Sequence, residues 1–186
     1  ENPLNTAAGQ QEILELMRRH ALRPASLTGD CFMQVPFWKT DGETQKSLVA
    51  DLDLVLASCA TLGIEFVVIP LVDNGRIESA AQTETLLRVL LDRASSLSRQ
   101  GVRIVFESDL PPAPLAQFID KFPREVFGIN YDSGNSAALG YDSAEEIPAY
   151  SPRILNVHIK DRLLGGTTVP LGTGAADIAK TIRLIE

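Results

Sequence analysis

Short apolar stretches recur along the chain between longer segments whose apolar residues follow a helical spacing. Residues 64–71 are apolar at nearly every position and contain two Val and two Ile, which is typical of a strand covered on both faces in a parallel sheet. Four further stretches have the same strand character. The five predicted strands are residues 25–31, 64–71, 102–107, 127–132 and 154–160.

Helices are predicted between these strands. The apolar residues of the segment 44–62 recur on one helical face, and Gly63 supplies a C-terminal stop. The other predicted helices are residues 10–20, 79–100, 143–150 and 175–185, and one that begins near Pro114 and extends to Phe122. Because no hairpin signal separates the strands, this alternation predicts an α/β fold with a parallel sheet and right-handed crossovers.

Two architectures fit the alternation, a doubly wound open sheet and a (β/α)8 TIM barrel. A complete barrel needs about 250 residues, so a chain of 186 residues would form an incomplete one. No Gly-x-Gly-x-x-Gly follows a predicted strand, and the Gly-x-Gly of residues 172–174 follows a loop, which weighs against a dinucleotide-binding sheet. Polar residues at neighbouring strand ends favour the barrel, where such ends surround one site.

Three successive predicted strands end in residues that bind metal ions. Glu107 and Asp132 close the third and fourth strands, and His158 lies near the end of the fifth. Two carboxylates and an imidazole suit Mn²⁺, Mg²⁺, Co²⁺ or Zn²⁺, and the sequence does not choose among these ions. Each residue also has a structural alternative: a solvated strand end for Glu107, an Asx turn for Asp132 and a core histidine for His158.

Further residues are candidates for substrate contacts. Lys160 shares a strand face with His158, so it is predicted either to meet a substrate hydroxyl or phosphate or to pair with a carboxylate. Residues 32–38 form a predicted loop rich in large apolar groups, just past a strand that ends near Asp30. This loop packs on the core or forms a hydrophobic wall for a sugar, with Trp38 as its aromatic face.

Composition narrows the class of partner and the compartment. The formal net charge of −7 gives no basic surface for nucleic acid. Cys31 and Cys59 are too few for a disulfide framework, and both are predicted to be buried thiols in a reducing compartment. No apolar run approaches the roughly 20 residues of a membrane span. We therefore predict a cytoplasmic protein with neither nucleic-acid nor membrane partners.

Several motifs of the chain occur together in one known family. They are Glu107 at a strand end, Tyr-Asp-Ser-Gly-Asn at 131–135, Gly-Tyr-Asp at 140–142, His-Ile-Lys-Asp at 158–161, and Val-Pro-Leu-Gly-Thr-Gly at 169–174 with Asp177. With residues 1–6 and 26–33, they resemble the sugar phosphate isomerase/epimerase family. That family has xylose isomerase-like barrels and is related to ketose 3-epimerases and inosose dehydratase.

The resemblance implies that residues 1–186 form a single TIM-barrel domain that carries strands three to seven and is truncated at both ends. In this family one divalent metal is held by Glu, Asp, His and a second Glu from the eighth strand. Glu107, Asp132 and His158 match three of these positions, and the fourth has no counterpart before the chain ends. The missing strands would leave two sheet edges exposed, which favours either a fragment of a longer protein or a homo-oligomer in which another copy covers these edges.

The implied activity is that of a metal-dependent carbohydrate isomerase or epimerase acting on a sugar or sugar phosphate. The metal polarises the carbonyl of a keto sugar, Glu107 carries the neighbouring proton, and an enediolate forms. A polyol-ketone dehydratase and a non-catalytic sugar-binding barrel remain alternatives. A repair enzyme resembling endonuclease IV is disfavoured, since that type needs many histidines and a basic groove and this chain has two histidines.

Two positions differ from the ketose 3-epimerases. Asn135 stands where those enzymes present a histidine to the substrate, and Leu164 stands where they have an arginine. Arg162 is the candidate to replace that arginine, so Asn135 and Arg162 are both predicted substrate contacts. The substrate of those epimerases is not transferred to this chain, and the sugar, its phosphorylation and the choice of metal stay open.

Overall fold

The computed structural model describes residues 2–186. The chain divides into two compact units, Glu1–Ile104 and Val105–Glu186. Five strands form one sheet, and their order in the sheet follows their order along the chain. The predicted alternation of strand and helix is confirmed, and the bounds of the elements differ from the predicted ones at places that have local physical causes.

The first unit contains two complete strands. Its elements are α1 (Ala7–His20), β1 (Ser26–Thr28), α2 (Asp30–Gln34), α3 (Gly42–Leu62), β2 (Phe66–Leu71), α4 (Ala80–Leu91) and α5 (Ala94–Gln100), with 3-10 helices at Pro3–Asn5, Phe37–Lys39 and Asp73–Gly75. β1 and β2 pair in parallel, with Ser26 opposite Phe66. A third strand, β3 (Arg103–Ser108), crosses the division of the chain, and its first N–H, from Arg103, donates to the carbonyl of Glu65 at 2.7 Å.

Burial in the first unit follows the predicted pattern. Val67, Val68 and Ile69 of β2 are fully buried, as expected for a strand covered on both faces. The helix before it ends at Gly63, whose φ of 69° lies in the left-handed region that favours glycine. The local sequence signals for this helix–strand pair therefore agree with its packing.

The helix predicted over residues 79–100 is two helices, because the backbone hydrogen bonds tighten at Arg93. The N–H of Arg93 donates to the carbonyl of Leu90, three residues back, at 3.0 Å. The carbonyl of Val89 instead accepts from Arg93 Nη1 at 2.6 Å. Arg93 Nε and Nη2 also donate to the two carboxylate oxygens of Asp53 on α3, at 2.6 and 2.8 Å. This side chain stabilises a turn that the apolar periodicity does not reveal.

The segment after β1 is also more regular than the predicted loop. It contains the short helix α2 and the 3-10 helix Phe37–Lys39, both too short for sequence periodicity to indicate. Phe32, Phe37 and Trp38 are buried, so the three aromatic groups of this segment belong to the core. Asp30 is the first residue of α2 and not a strand end, and β1 stops two residues earlier.

Two predictions from composition have different outcomes. Cys59 is buried, and burial raises the pKa of its thiol to about 11. Cys31 is exposed, so its prediction as a buried thiol was wrong; it lies in the first turn of α2 beside the exposed Asp30. Among residues 2–186, no helix combines the length and apolar content that crossing a membrane requires.

The second unit contains the remaining strands. After β3 its elements are α6 (Pro112–Ile119), β4 (Phe127–Asp132), α7 (Ser133–Ala138), α8 (Ser143–Tyr150), β5 (Ile154–His158), β6 (Asp161–Arg162), β7 (Thr168–Val169) and α9 (Ile178–Ile185), with a 3-10 helix at Ser151–Arg153. β4 and β5 pair in parallel, and their register places Asp132 opposite His158. The fourth predicted strand and the helix predicted over 143–150 have the predicted bounds.

An aromatic cluster forms the apolar side of this unit. The ring centroid of Phe106 lies 5.3 Å from that of Phe118 and 5.1 Å from that of Phe122, and Phe122 lies 4.9 Å from Phe127. Successive side chains of a strand point to opposite faces. The side chain of Glu107 therefore points to the face opposite Phe106, and the polar residues of the strands lie on that face.

The chain after β5 contains a hairpin that the sequence did not predict. β6 and β7 pair antiparallel, and the buried carboxylate of Asp161 accepts backbone N–H groups from Gly172, Gly174 and Ala176 at 2.8 to 3.0 Å. A Cβ at Gly174 would lie 2.3 Å from Asp161 Oδ1, so this loop requires glycine there. The loop delays the last helix, which begins at Ile178 and not at Ala175.

Candidate metal centre

Three strand ends of the second unit converge. Glu107 is the penultimate residue of β3, and Asp132 and His158 are the last residues of β4 and β5. One ligand atom from each residue lies within 4.8 Å of the other two. His158 Nδ1 is 3.1 Å from Glu107 Oε2 and 3.7 Å from Asp132 Oδ2. The parallel register brings the ends together because neighbouring parallel strands finish at the same edge.

The electrostatics of the three residues are coupled. Glu107 and Asp132 are 8% and 4% exposed, whereas His158 is half-buried. Hydrogen bonds to Asp132 and Glu107 raise the pKa of His158 to about 9, against the opposing effect of burial. Burial alone would raise the pKa of Asp132, but hydrogen bonds from His158, the Asn135 N–H and Lys160 outweigh it and lower that pKa.

Lys160 contributes a second positive charge. Its Nζ lies 3.0 Å from Asp132 Oδ2, which is the carboxylate pairing that its sequence position allowed. Its backbone is fixed by Ser133, whose hydroxyl accepts from the Lys160 N–H at 2.9 Å and donates to the Lys160 carbonyl at 2.7 Å. The ammonium is therefore held at the edge of the carboxylate cluster.

Asp132 also has a local structural role. Its Oδ1 accepts the N–H of Asn135 at 2.8 Å and caps the N-terminus of α7. The Asx-type geometry and the position in the cluster were alternatives in the sequence, and both occur because each uses a different carboxylate oxygen: Oδ2 faces His158 and Lys160.

Two asparagines belong to the cluster and were missed in the sequence. Asn130 Nδ2 donates to Glu107 Oε2 at 2.8 Å and lies 3.1 Å from His158 Nδ1. Asn156 Nδ2 donates to Asn130 Oδ1 at 2.7 Å. Each asparagine stands two residues before a cluster residue on the same strand, so the two-residue period of a strand could have placed them on this face.

Asn135 and Arg162 also lie within the cluster. Asn135 Nδ2 donates to Glu107 Oε1, and Arg162 Nη1 donates to Asn135 Oδ1 at 2.9 Å. Arg162 Nη2 donates further to the carbonyl of Gly166 at 2.7 Å. Both predicted substrate contacts therefore have protein partners, and these partners connect them to Glu107.

The remaining predicted substrate contacts, Asp30 and Trp38, belong to the first unit. Asp30 is exposed at the start of α2. Trp38 is 2% exposed and packs edge-on against Phe37, with 5.0 Å between ring centroids. Its indole Nε1 is buried and has no hydrogen-bond partner among residues 2–186. The sugar-binding roles of both residues stay predictions.

Comparisons with known proteins place this geometry in context. An inosose isomerase of Bacillus velezensis is 23% identical over 158 residues, which are 81% of this chain. The chain spans about half, 55%, of the length of that curated relative. A xylose isomerase domain protein of Planctomyces limnophilus superposes with a TM-score of 0.79 at 20% identity, over 100% of this chain and 74% of its own. A crystal structure of IOLI protein with a binding zinc atom gives 0.75 at 21% identity, over 95% and 69%.

These superpositions agree with the predicted fold. The five strands occur in the order expected of consecutive barrel strands, and the fold prediction, an incomplete (β/α)8 barrel, is confirmed. A family model described as xylose isomerase-like TIM barrel matches residues 2–186. The chain therefore belongs to the xylose isomerase-like TIM barrel family.

Proposed function

We propose that the protein is a metal-dependent isomerase or epimerase of a small sugar or sugar phosphate. The observation that carries this proposal is the convergence of Glu107, Asp132 and His158 at the ends of three neighbouring strands. In TIM barrels the active site lies at the C-terminal ends of the strands. The family and the inosose isomerase relative support an isomerase-type activity.

The donor set fits a divalent cation. Two buried carboxylates at one point require positive charge nearby, and the protein supplies it with the Lys160 ammonium and the His158 imidazole, whose pKa is raised. Two carboxylate oxygens and one imidazole nitrogen are ligands for Mn²⁺, Mg²⁺, Co²⁺ and Zn²⁺. Glu107, Asp132 and His158 would hold the ion.

Each residue then has a chemical task. A divalent cation held here would polarise a substrate carbonyl and so acidify the neighbouring C–H. Glu107 takes the proton from that carbon and returns it, and the Asn130 amide on its Oε2 keeps the carboxylate in place. Lys160 is 33% exposed at its side chain, so its ammonium can reach a substrate hydroxyl or phosphate.

Metal affinity tests the ligand assignment. Glu107→Gln and His158→Ala should each bind Zn²⁺ or Mn²⁺ at least about tenfold more weakly than the unaltered chain, since even outer partners of metal ligands contribute about 10–100-fold. Glu145→Gln on the exposed side of α8 and His20→Ala at the exposed end of α1 are matched controls. Equal affinity in all five proteins would rule out the assignment.

Isotope exchange tests the reaction class. With a panel of ketoses in deuterated water, an isomerase or epimerase should incorporate deuterium at the carbon next to the carbonyl without loss of water. A dehydratase begins with the same proton removal but releases water and leaves an unsaturated product. A protein that binds metal but shows no deuterium incorporation and no loss of water would favour the non-catalytic sugar-binding alternative.

A further inference from the structure

Both oxygens of the Glu107 carboxylate receive an amide N–H. Asn130 Nδ2 donates to Oε2 at 2.8 Å, and Asn135 Nδ2 donates to Oε1. The two amides come from one strand–helix junction: Asn130 lies on β4, and Asn135 lies in the first turn of α7. The two carboxylate oxygens of Glu107 are thus each hydrogen-bonded by an amide from the same stretch of chain.

Each amide is itself oriented by a further donor. Asn156 Nδ2 donates to Asn130 Oδ1 at 2.7 Å, and Arg162 Nη1 donates to Asn135 Oδ1 at 2.9 Å. A guanidinium only donates hydrogen bonds, so the oxygen of Asn135 must face Arg162 and its NH₂ must face Glu107. The direction of this chain of hydrogen bonds is therefore fixed and cannot reverse by an amide flip.

Arg162 is in turn held by the hairpin. Its Nε and Nη2 donate to the carbonyl of Gly166 at 3.1 and 2.7 Å, between β6 and β7. Its backbone carbonyl accepts the N–H of Ala175, which belongs to the loop held by Asp161. The guanidinium that orients Asn135 is thus anchored at both its backbone and its side chain.

We propose that Asn135 and Arg162 are positioning residues for Glu107, and that Arg162 acts through Asn135. The pair keeps Oε1 engaged and turns Oε2 toward Asp132 and His158, so that the ligand oxygen is already in place before an ion binds. This inference rests on the proposed function, because it assigns the pair a task toward Glu107 as a ligand. It gives these two residues a role different from the substrate contact that their sequence positions suggest.

A double-mutant cycle on metal affinity tests the proposal. The four proteins are the unaltered chain, Asn135→Ala, Arg162→Met and the double variant, with Zn²⁺ affinity measured by competition with a chromophoric chelator. Asn135→Ala should weaken binding about tenfold, as outer partners of metal ligands do. Arg162→Met should weaken it less, and it should have no further effect once Asn135 is absent. Asn135→Leu keeps the side-chain volume and repeats the test without a cavity.

Surface variants and stability measurements separate positioning from general damage. Asn5→Ala and Arg183→Met, both at exposed positions, should leave metal affinity unchanged. Urea midpoints of all variants show whether the chain remains folded. An Arg162→Met effect of equal size in both backgrounds, or unchanged affinity in Asn135→Ala, would overturn the proposal while Glu107→Gln still loses the metal. If Glu107→Gln also binds Zn²⁺ as tightly as the unaltered chain, the proposed function itself is overturned.

Discussion

The second unit contains two regions with buried carboxylates, and their surroundings differ in kind. Glu107 and Asp132 lie at the strand ends, whereas Glu146 and Asp161 lie on α8 and at the start of β6. All four residues are buried among the described residues of this unit. Burial of an acid alone therefore does not identify a site. The two regions differ instead in the groups that contact their carboxylates.

The second pair of acids is bound by neutral donors. Glu146 accepts hydroxyl hydrogen bonds from Tyr131, Ser136 and Tyr150 at 3.0 to 3.2 Å. Asp161 accepts backbone N–H groups of the loop that follows β7. These contacts connect α8 to β4 and fix the loop before α9, so both acids join elements of the fold.

The first pair is instead surrounded by groups that carry or share charge. Asp132 faces Lys160 and His158, and Glu107 faces His158 across 3.1 Å. Their oxygens and the imidazole nitrogen point to one common position, which the hydroxyls and amides around the other acids do not. The strand ends are a candidate site because their ligand atoms converge and because the groups there are charged, with perturbed pKa values at Asp132 and His158.

The largest expected effect separates the two roles of Asp132. Asp132→Asn keeps an oxygen to cap α7 but loses the charged ligand, so Zn²⁺ affinity should fall by at least about a hundredfold. Its stability should also fall, because Lys160 and the protonated His158 lose their carboxylate partner. Asp132→Ala should lose the same affinity and, in addition, about 1 kcal/mol of unfolding free energy from the missing cap. Isothermal titration and urea unfolding of both variants measure these two quantities.

Equal stability losses in Asp132→Asn and Asp132→Ala would show that the carboxylate charge, and not the cap, stabilises the fold. Retained Zn²⁺ affinity in Asp132→Asn would remove Asp132 from the ligand set. Asp177→Asn is a matched control, because Asp177 caps α9 through an exposed hydrogen bond to the Lys180 N–H.

The next effect concerns the structural pair. Asp161→Asn replaces one acceptor oxygen by an NH₂ group that meets backbone N–H donors, so unfolding free energy should fall by about 1–3 kcal/mol. The N–H groups of Ala176 and Gly174 lower the pKa of Asp161, which keeps the carboxylate ionised as an acceptor. Urea unfolding with and without saturating Zn²⁺ checks the outcome. Intact stability combined with lost metal affinity would place Asp161 in the site.

A smaller effect follows from the raised pKa of His158. Below its pKa of about 9 the imidazole carries two protons, and an ion can bind only after one leaves. Apparent Mn²⁺ affinity should therefore rise about tenfold per pH unit from neutral pH to about 9 and then level off. In the metal-free protein the sign is opposite: the stability that His158 adds is complete below pH 6.5 and is lost as the pH rises through 9.

Titration of Mn²⁺ binding by electron paramagnetic resonance at several pH values measures this slope. The release of about one proton per bound ion at neutral pH should accompany it. His158→Ala should remove the slope, whereas His20→Ala should preserve it. A flat profile in the unaltered chain would contradict the coupling between His158 and the two acids.

The sequence was sufficient to predict the five strands and the polar residues at the ends of β3, β4 and β5. Alternation and β-branched residues indicated all five strands, and the cluster residues Glu107, Asp132 and His158 were visible because each stands at or near the end of a predicted apolar strand. Parallel pairing ends the three strands at one edge, and the barrel fold, in which such ends surround one site, accounts for their convergence. Asn130 and Asn156 were missed because an asparagine inside a strand does not by itself indicate a site, although the two-residue period of a strand places both on the face of the cluster.

Features built on hydrogen bonds between distant residues could not be predicted. The break between α4 and α5 depends on the Arg93 side chain reaching Asp53 and Val89. The hairpin after β5 depends on Asp161 gathering N–H groups from residues 11 to 15 positions ahead. Both rest on side-chain contacts that hydrophobic periodicity does not report, so the structural role of Asp161 was not visible in the sequence.

The smallest expected effect sharpens the contrast at Glu146. Burial raises the pKa of this carboxyl despite the hydroxyls of Ser136, Tyr150 and Tyr131, so the folded chain binds the proton more tightly than the unfolded chain does. Stability should therefore increase as the pH falls through the folded pKa. Glu146→Gln mimics the neutral form, and the three hydroxyls can rotate to suit it.

We expect Glu146→Gln to change the unfolding free energy by less than about 1 kcal/mol at pH 7.5, in the stabilising direction. The difference from the unaltered chain should shrink at an acidic pH, as Glu146 takes up its proton, and Zn²⁺ affinity should not change. Urea unfolding at the two pH values measures both predictions. A clear loss of stability at pH 7.5 would mean that the ionised carboxylate is required by its hydroxyl partners, and Glu146 would then resemble Asp161 more closely than its burial suggests.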